Sequence, residues 1–271
     1  ILSDRPTPPT PTLIPGPQEA PRPSVCLLSQ AGAQDSVRSH LFPTAALAQQ
    51  GEDTFNVKEV QHMLPMRRVN AKTYAVPRYL TDWLGYIPYV SIARPFHIMA
   101  REVTVGEFRR YVATLNDVQR RQLELDNGWH EEESGERFPD QRPVSSISWL
   151  AAQGYAGWLA TKTGCTLTLP GIEHWRASVI SYARSEEEIT REKNRFEGVQ
   201  APLPRDVQPD RVHDLLGNLR EWLADECQRD GATGHYWIGE DYNTWRDAIS
   251  GQADCRIKKL PVVGFRLIWQ E

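Results

Sequence analysis

Two short motifs near the end of the chain constrain its fold more than any other feature. Residues 217–222 read Gly-Asn-Leu-Arg-Glu-Trp, and residues 264–267 read Gly-Phe-Arg-Leu. Each motif begins with a glycine, which suits a tight turn, and continues into aromatic residues of the kind found in strands. The pattern predicts a buried ion pair between Glu221 and Arg266 under the cover of Trp222. Such a pair specifies packing more than it drives chemistry.

Three further landmarks precede these motifs along the chain. Residues 102–108 read Glu-Val-Thr-Val-Gly-Glu-Phe, in which a Thr is followed three residues later by a Glu, the pattern of a helix capping box. Residues 143–149 read Pro-Val-Ser-Ser-Ile-Ser-Trp and predict that Ser148 caps a second helix. Residues 169–175 read Leu-Pro-Gly-Ile-Glu-His-Trp.

In this order, the five landmarks resemble the signature of the formylglycine-generating-enzyme (sulfatase-modifying factor) family. The resemblance covers residues 89–271 and implies an α+β, C-type-lectin-like fold. The family includes oxidases, a pyoverdine-tailoring protein and members without an assigned chemistry. This chain departs from the family pattern at Gly171, which replaces a capping Thr, and at Ile172 and His174, which replace acidic residues.

Length and charge limit the remaining possibilities. The 271 residues suffice for one large domain, alone or with an appendage. The formal charge of -4 gives no electrostatic basis for binding nucleic acid. No run approaches the roughly 20 apolar residues that a membrane-spanning helix needs. The chain begins with Ile1, and we interpret it as a processed piece from which a targeting segment can be missing.

The region before the family-like domain divides into two parts. Eight of the 20 prolines fall within residues 1–23, which predicts an extended Pro-rich linker that holds the domain away from a membrane or another domain. Residues 24–88 show little periodicity, and we expect an N-terminal extension packed on the main domain. Within it, residues 55–60 alternate like a strand.

The resemblance also implies what catalysis would require. The formylglycine-generating enzymes oxidise a substrate cysteine with copper held by two cysteines spaced C-x-x-x-x-C, and soft thiolates suit Cu(I). This chain has only Cys255 in the corresponding region, and its seven histidines lack the His-x-x-x-His-x-Glu spacing of iron-binding relatives. We therefore expect neither copper nor iron and assign no catalytic residue; Cys255 would be one only in a divergent oxidase.

The four cysteines show no C-x-x-C spacing. By the resemblance, Cys227 follows one motif strand and Cys255 precedes the other, and these strands lie side by side in the fold. This placement implies a Cys227–Cys255 disulfide worth about 3 kcal/mol. The alternative is a pair of buried free thiols.

A calcium site is the one metal site that the resemblance carries over. In the family, a side chain three residues before the turn glycine, two turn carbonyls and the Glu of the motif bind calcium. The corresponding residues are Asp214, Gly217, Leu219 and Glu221. Calcium is bound by hard oxygen ligands of this kind. The alternative is that Gly217 only shapes the turn while the two carboxylates make local hydrogen bonds.

Two classes of function remain. The first is a non-catalytic recognition or scaffold domain, an ectodomain of a bacterial signalling or secretion system in the periplasm or another extracytoplasmic compartment. Its partner would be a protein, a peptide or a small molecule, and a membrane-anchored parent could carry it through the linker. Its candidate binding loop contains Tyr236, Trp237, Tyr242 and Trp245, although these aromatics could instead fold back into a satellite core.

The second class is a divergent metal-dependent oxidase or tailoring enzyme that acts on a peptide or a siderophore-like substrate. It would use Cys255 or a histidine-bound metal. Because the paired cysteines are missing, the sequence favours the first class.

Overall fold

The computed structural model describes residues 26–29, 55–81, 83–125, 129, 140–183, 185–187, 189, 210–241, 253–256 and 262–270. The predicted linker at residues 1–23 and two of the predicted binding aromatics, Tyr242 and Trp245, lie outside these residues. Among the helices that the structure describes, none has the length and apolar character needed to cross a membrane.

Runs of helices and runs of strands follow one another along the described chain, which confirms the α+β class. The helices are α1 (Val57–Met63), α2 (Val105–Val112), α3 (Asp117–Gln122), α4 (Trp149–Thr163) and α5 (Ile172–Tyr182), with a 3₁₀ turn at Arg78–Leu80. The strands are β1 (Met66–Val69), β2 (Lys72–Ala75), β3 (Tyr89–Ile92), β4 (Phe96–Met99), β5 (Leu167–Thr168), β6 (Arg220–Arg229), β7 (Ala232–Ile238), β8 (Asp254–Arg256), β9 (Val263–Gly264) and β10 (Ile268–Gln270).

Within the described residues, the strands form three sheets. Their strand orders are β1-β4-β10-β5, β2-β3 and β8-β7-β6-β9. The first sheet separates two hydrophobic clusters, because alternate residues of a strand point to opposite faces. In β4, Phe96 and Ile98 belong to one cluster and Met99 belongs to the other. In the third sheet, β6 and β9 run parallel, so the two C-terminal motifs lie side by side.

Two predicted helix starts are confirmed. The Thr104 hydroxyl accepts a hydrogen bond from the backbone N–H of Glu107, and the Glu107 carboxylate accepts one from the backbone N–H of Thr104. The Ser148 hydroxyl accepts the backbone N–H of Ala151 at the start of α4. Each cap satisfies a backbone donor that the first turn of a helix leaves without a partner.

The strand predicted at residues 55–60 is wrong. Helix α1 occupies most of this run, and Asn56 caps it in a reciprocal capping box with Glu59. The Asn-x-x-Glu spacing is the signal that identifies this start, and it outweighs a short apolar alternation. The extension also supplies β1, which pairs with β4 in the main sheet, so it is part of the fold's framework.

Two disulfides account for all four cysteines. Cys227 on β6 is joined to Cys255 on β8, although β7 lies between these strands. Their Cα atoms lie 5.8 Å apart, so β6 and β8 approach each other closely at this point. Cys26 is joined to Cys165, which lies 139 residues away, and the sequence did not indicate this second bridge.

Candidate functional site

The turn at residues 214–219 brings the first motif to the start of β6. Asp214 and Asn218 adopt left-handed backbone conformations, with φ of 56° and 71°. Asp and Asn tolerate this region better than most residues, because their short side chains can hydrogen-bond locally. The backbone N–H of Leu219 donates to the carbonyl of Gly217 over 3.0 Å, which closes the turn.

The predicted ion pair between Glu221 and Arg266 is confirmed. The Arg266 Nε donates to both carboxylate oxygens of Glu221 at 2.9 Å, and Nη2 donates to Oε1 at 2.6 Å. Both side chains are essentially inaccessible to solvent, at 0% and 1% exposure. Burial raises the pKa of Glu221, and the charge of Arg266 opposes that rise.

Arg266 also hydrogen-bonds to backbone segments that lie next to other landmarks. Its guanidinium donates to the carbonyls of Met99 at 3.1 Å and of His213 at 2.9 Å. Beside it, Gly264 approaches its neighbours so closely that a Cβ atom there would lie 2.6 Å from the carbonyl oxygen of Val144. The family-like motifs therefore meet in one buried region, which explains why they occur together.

Glu102 is a third buried carboxyl group in this region, and the site prediction missed it. Its Oε1 accepts a hydrogen bond from the Asn218 amide at 3.1 Å, and its Oε2 is buried without a hydrogen-bond partner. Burial raises the pKa of Glu102 well above its ordinary value, and the negative charge of Asp214 raises it further. The Glu-Val-Thr landmark contains this residue, but only the fold places it beside the turn.

The turn carries oxygen atoms of the chemical type that a hard cation such as calcium prefers. Asp214 and Glu221 are both buried. The carbonyl oxygens of Leu215 and Leu219 lie near Gly239, where a Cβ atom would be in ordinary contact with them at 3.6 and 3.7 Å. Calcium prefers carboxylate and carbonyl oxygens in flexible arrangements.

A calcium ion here would depend on two carboxylates and on main-chain carbonyls. Over the described ranges, no three His, Cys, Asp or Glu side chains are grouped as metal ligands. Arg266 would share the Glu221 carboxylate with the ion. Such sharing is chemically possible because each carboxylate oxygen accepts more than one contact.

The cysteines do not fit a copper site. Copper in the family requires thiolates, whereas Cys255 is bonded to Cys227 and the remaining two cysteines are bonded to each other. In this state, no thiol is available as a ligand or as a nucleophile.

The predicted binding aromatics on β7 have different environments. Trp237 is only 7% exposed and packs in the core, so the prediction that it is an exposed binding residue is wrong. The guanidinium carbon of Arg220 lies 4.3 Å from the centroid of its ring and covers it. Tyr236 points to the opposite face of β7, where it is half-buried against the hydrophobic cluster that contains Phe96 and Ile98.

Arg220, a member of the first motif, also forms an ion pair with an acidic side chain. The sequence did not indicate this pair. The Nη2 atom of Arg220 lies 3.0 Å from Oδ2 of Asp241, and both Asp241 and the adjacent Glu240 are buried. This contact ties the end of β7 to the start of β6. It therefore anchors the segment from which the predicted binding loop continues.

Comparisons with known proteins agree with this arrangement. The family model described as the sulfatase-modifying factor enzyme 1-like domain matches residues 88–271. The chain is similar to the solved structure of PvdO from Pseudomonas aeruginosa, with 21% identity, a TM-score of 0.55, and coverage of 76% of this chain and 94% of that chain. It is also similar to Treponema denticola variable protein 1, with 13% identity, a TM-score of 0.54, and coverage of 76% and 95%.

These structural likenesses show the fold alone at such low identities. A comparison with curated protein sequences found no match. Because the family model covers more than half of the chain, the chain belongs to the sulfatase-modifying factor family, with its C-type-lectin-like fold.

Proposed function

We propose that this chain is a non-catalytic recognition or scaffold domain of the family, with a structural calcium ion at the turn of residues 214–221. The observation that carries the proposal is the state of the cysteines: all four are in disulfides, so the copper-thiolate chemistry of the family's oxidases has no ligands here. The paired cysteine spacing of those enzymes is also missing from the sequence.

The disulfides also support an extracytoplasmic location. Disulfides persist in oxidising compartments such as the periplasm and are rare in the reducing cytosol. In that setting, the Pro-rich residues 1–23 would serve as a spacer to a membrane-anchored parent. The partner would be a protein, a peptide or a small molecule.

Charge balance supports the calcium site. The buried carboxyl groups of Asp214 and Glu221 act on a single buried guanidinium, that of Arg266, while the raised pKa of the nearby Glu102 favours its neutral form. Buried charges are costly unless they are paired or coordinate a metal. A divalent cation beside Asp214 and Glu221 would offset the excess negative charge.

The test is the metal content of the native protein, combined with its melting temperature in calcium and in chelator. We expect about one calcium per chain and a lower melting temperature in chelator, because an ion that binds only the folded state stabilises it. Asp214→Asn should reduce the calcium response. Asp230→Asn is the matched control, because Asp230 is exposed and shares the left-handed backbone, with φ of 53°.

Two results would contradict parts of this proposal. Absence of calcium, with no melting response to it, would remove the calcium site. Stoichiometric copper or iron would instead favour the divergent oxidase or tailoring enzyme, because a recognition domain needs no redox metal.

A further inference from the structure

A cleft of about 870 Å³ opens on the first sheet. Its sheet side carries three half-buried side chains, Met66 on β1, His97 on β4 and Trp269 on β10. These side chains share one face of the sheet, because Trp269 is the register partner of His97, and Met66 pairs with β4 two residues further along. The floor of the cleft is therefore a continuous surface across three strands.

Two aromatic rings dominate this floor. The Trp269 ring stacks on His97, with the ring centroids 4.6 Å apart and 26° between the ring planes. The two rings form an aromatic platform across the neighbouring strands β4 and β10. Proline-rich segments dock on aromatic surfaces of this kind, because their preformed extended helix has little conformational entropy left to lose.

The chain itself enters the cleft beside this platform. Cys26 lines the cleft together with Leu28 and Ser29. Its disulfide partner Cys165 lies two residues before β5. In the strand order β1-β4-β10-β5, β5 is next to β10, which carries Trp269. The residues that directly precede Cys26 therefore start beside the aromatic platform.

Those preceding residues have the composition that the platform suits. Residues 21–25 read Pro-Arg-Pro-Ser-Val and lie outside the described part of the chain. An extended chain with this sequence carries Pro21, Pro23 and Val25 on one side and the two polar residues on the other. Five extended residues span about 15 Å, whereas β10 and β1 are two strand spacings, or about 10 Å, apart. The run is long enough to cross from β10 to β1.

We propose that residues 21–25 of this chain dock on the aromatic platform, with their three apolar side chains against Trp269 and Met66. The two polar side chains would stay in water. Docking would be intramolecular, because the run is joined to the domain at Cys26, so a weak intrinsic affinity suffices. The docked run would fix the direction in which the Pro-rich linker leaves the domain. This inference goes beyond the proposed recognition function and does not depend on the calcium site.

The test uses the whole chain labelled with 5-fluorotryptophan, in which Trp269→Phe identifies the ¹⁹F signal of Trp269. The change of that signal between H₂O and D₂O reports the exposure of the ring to solvent. The triple variant Pro21→Ser, Pro23→Ser and Val25→Ser should move the signal and raise its solvent shift about twofold. The reason is that His97 covers one face of the ring, and docking would cover the other.

A direct contact and a matched control complete the test. In the native sequence, we expect nuclear Overhauser effects between the indole protons of Trp269 and the ring protons of Pro21 or Pro23. The control is Pro8→Ser with Pro11→Ser, the same kind of change further from Cys26, and it should leave the Trp269 signal in place. The signals of the other tryptophans should stay unchanged in every variant, because the core is not altered.

Three results would overturn the proposal. A Trp269 signal that stays shielded in the triple variant would show that something else covers the ring, such as residues 30–54 or a bound molecule. A signal as exposed in the native chain as in the triple variant would show that nothing docks there. A contact that appears only at high protein concentration would place the run on a second copy of the chain. The recognition function would survive each of these results, because it depends on the state of the cysteines.

Discussion

Arg266 holds the carboxylate of Glu221 with three hydrogen bonds, and both side chains are buried where the two C-terminal motifs meet. A buried pair of this kind does not guarantee stability, because both ions have lost their hydration. Removing one partner is different, because the remaining charge is left without compensation.

We therefore expect Arg266→Met to lower the free energy of unfolding by about 3–5 kcal/mol. The measurement is urea denaturation at neutral pH, followed by tryptophan fluorescence. The double variant Arg266→Met with Glu221→Met should recover much of the loss, since it leaves neither charge in the core. An Arg266→Met variant as stable as the native chain would contradict this account of the pair.

The raised pKa of Glu102 makes stability depend on pH. The folded protein keeps the Glu102 proton at pH values where the unfolded chain, with an ordinary value of 4.5, has released it. The contribution of Glu102 to the free energy of unfolding is therefore fully present below pH 4.5, and it falls as the pH rises above that value. Glu102→Gln has no such proton to lose and retains an acceptor for Asn218.

In chelator, the Glu102→Gln variant should gain stability relative to the native chain as the pH rises above 4.5, by at most about 1.4 kcal/mol per pH unit. Parallel denaturation series at several pH values measure this difference. A difference that does not change with pH would show that Glu102 titrates normally.

Two glycines in α4 provide a matched pair. A Cβ atom on Gly154 would lie 2.2 Å from the Tyr111 hydroxyl oxygen, whereas one on Gly157 meets nothing within 4 Å. Gly154→Ala should cost about 1–3 kcal/mol, because the buried Tyr111 ring has to move. Gly157→Ala should stabilise the protein by about 1 kcal/mol through helix propensity. Thermal denaturation of the two variants tests these expectations. Equal effects on the melting temperature would contradict them.

The Cys227–Cys255 bridge closes a loop of 28 residues. Its replacement by two serines should cost about 3–4 kcal/mol, because the unfolded chain regains loop entropy. We expect the double variant to remain folded, to show no free thiol in denaturant and to unfold at lower urea concentration. Unchanged stability would mean that the bridge adds nothing to this sheet, and free thiols in the native chain would mean that it does not form.

Much of the site's local structure was predictable from short-range patterns. The caps at Thr104 and Ser148 depend on residues three positions apart, and the pair of Glu221 with Arg266 follows from the two motifs. The environment of Trp237 was not predictable in this way. Its burial depends on Arg220 and on neighbouring strands, and a run of aromatics and glycines looks the same in a loop and in a strand.

The sequence by itself determined the family, the α+β class and the two motifs that form the buried pair, because these depend on residue types at fixed spacing. Tertiary structure alone decided that Glu102 lies beside Asn218, that Cys26 bonds to Cys165, and that β1 joins the main sheet. These contacts join residues 116 and 139 positions apart, or strands from different regions of the chain. Hydrophobic period and capping signals report only on neighbours along the chain, so the path of the backbone had to be known before such contacts could be identified.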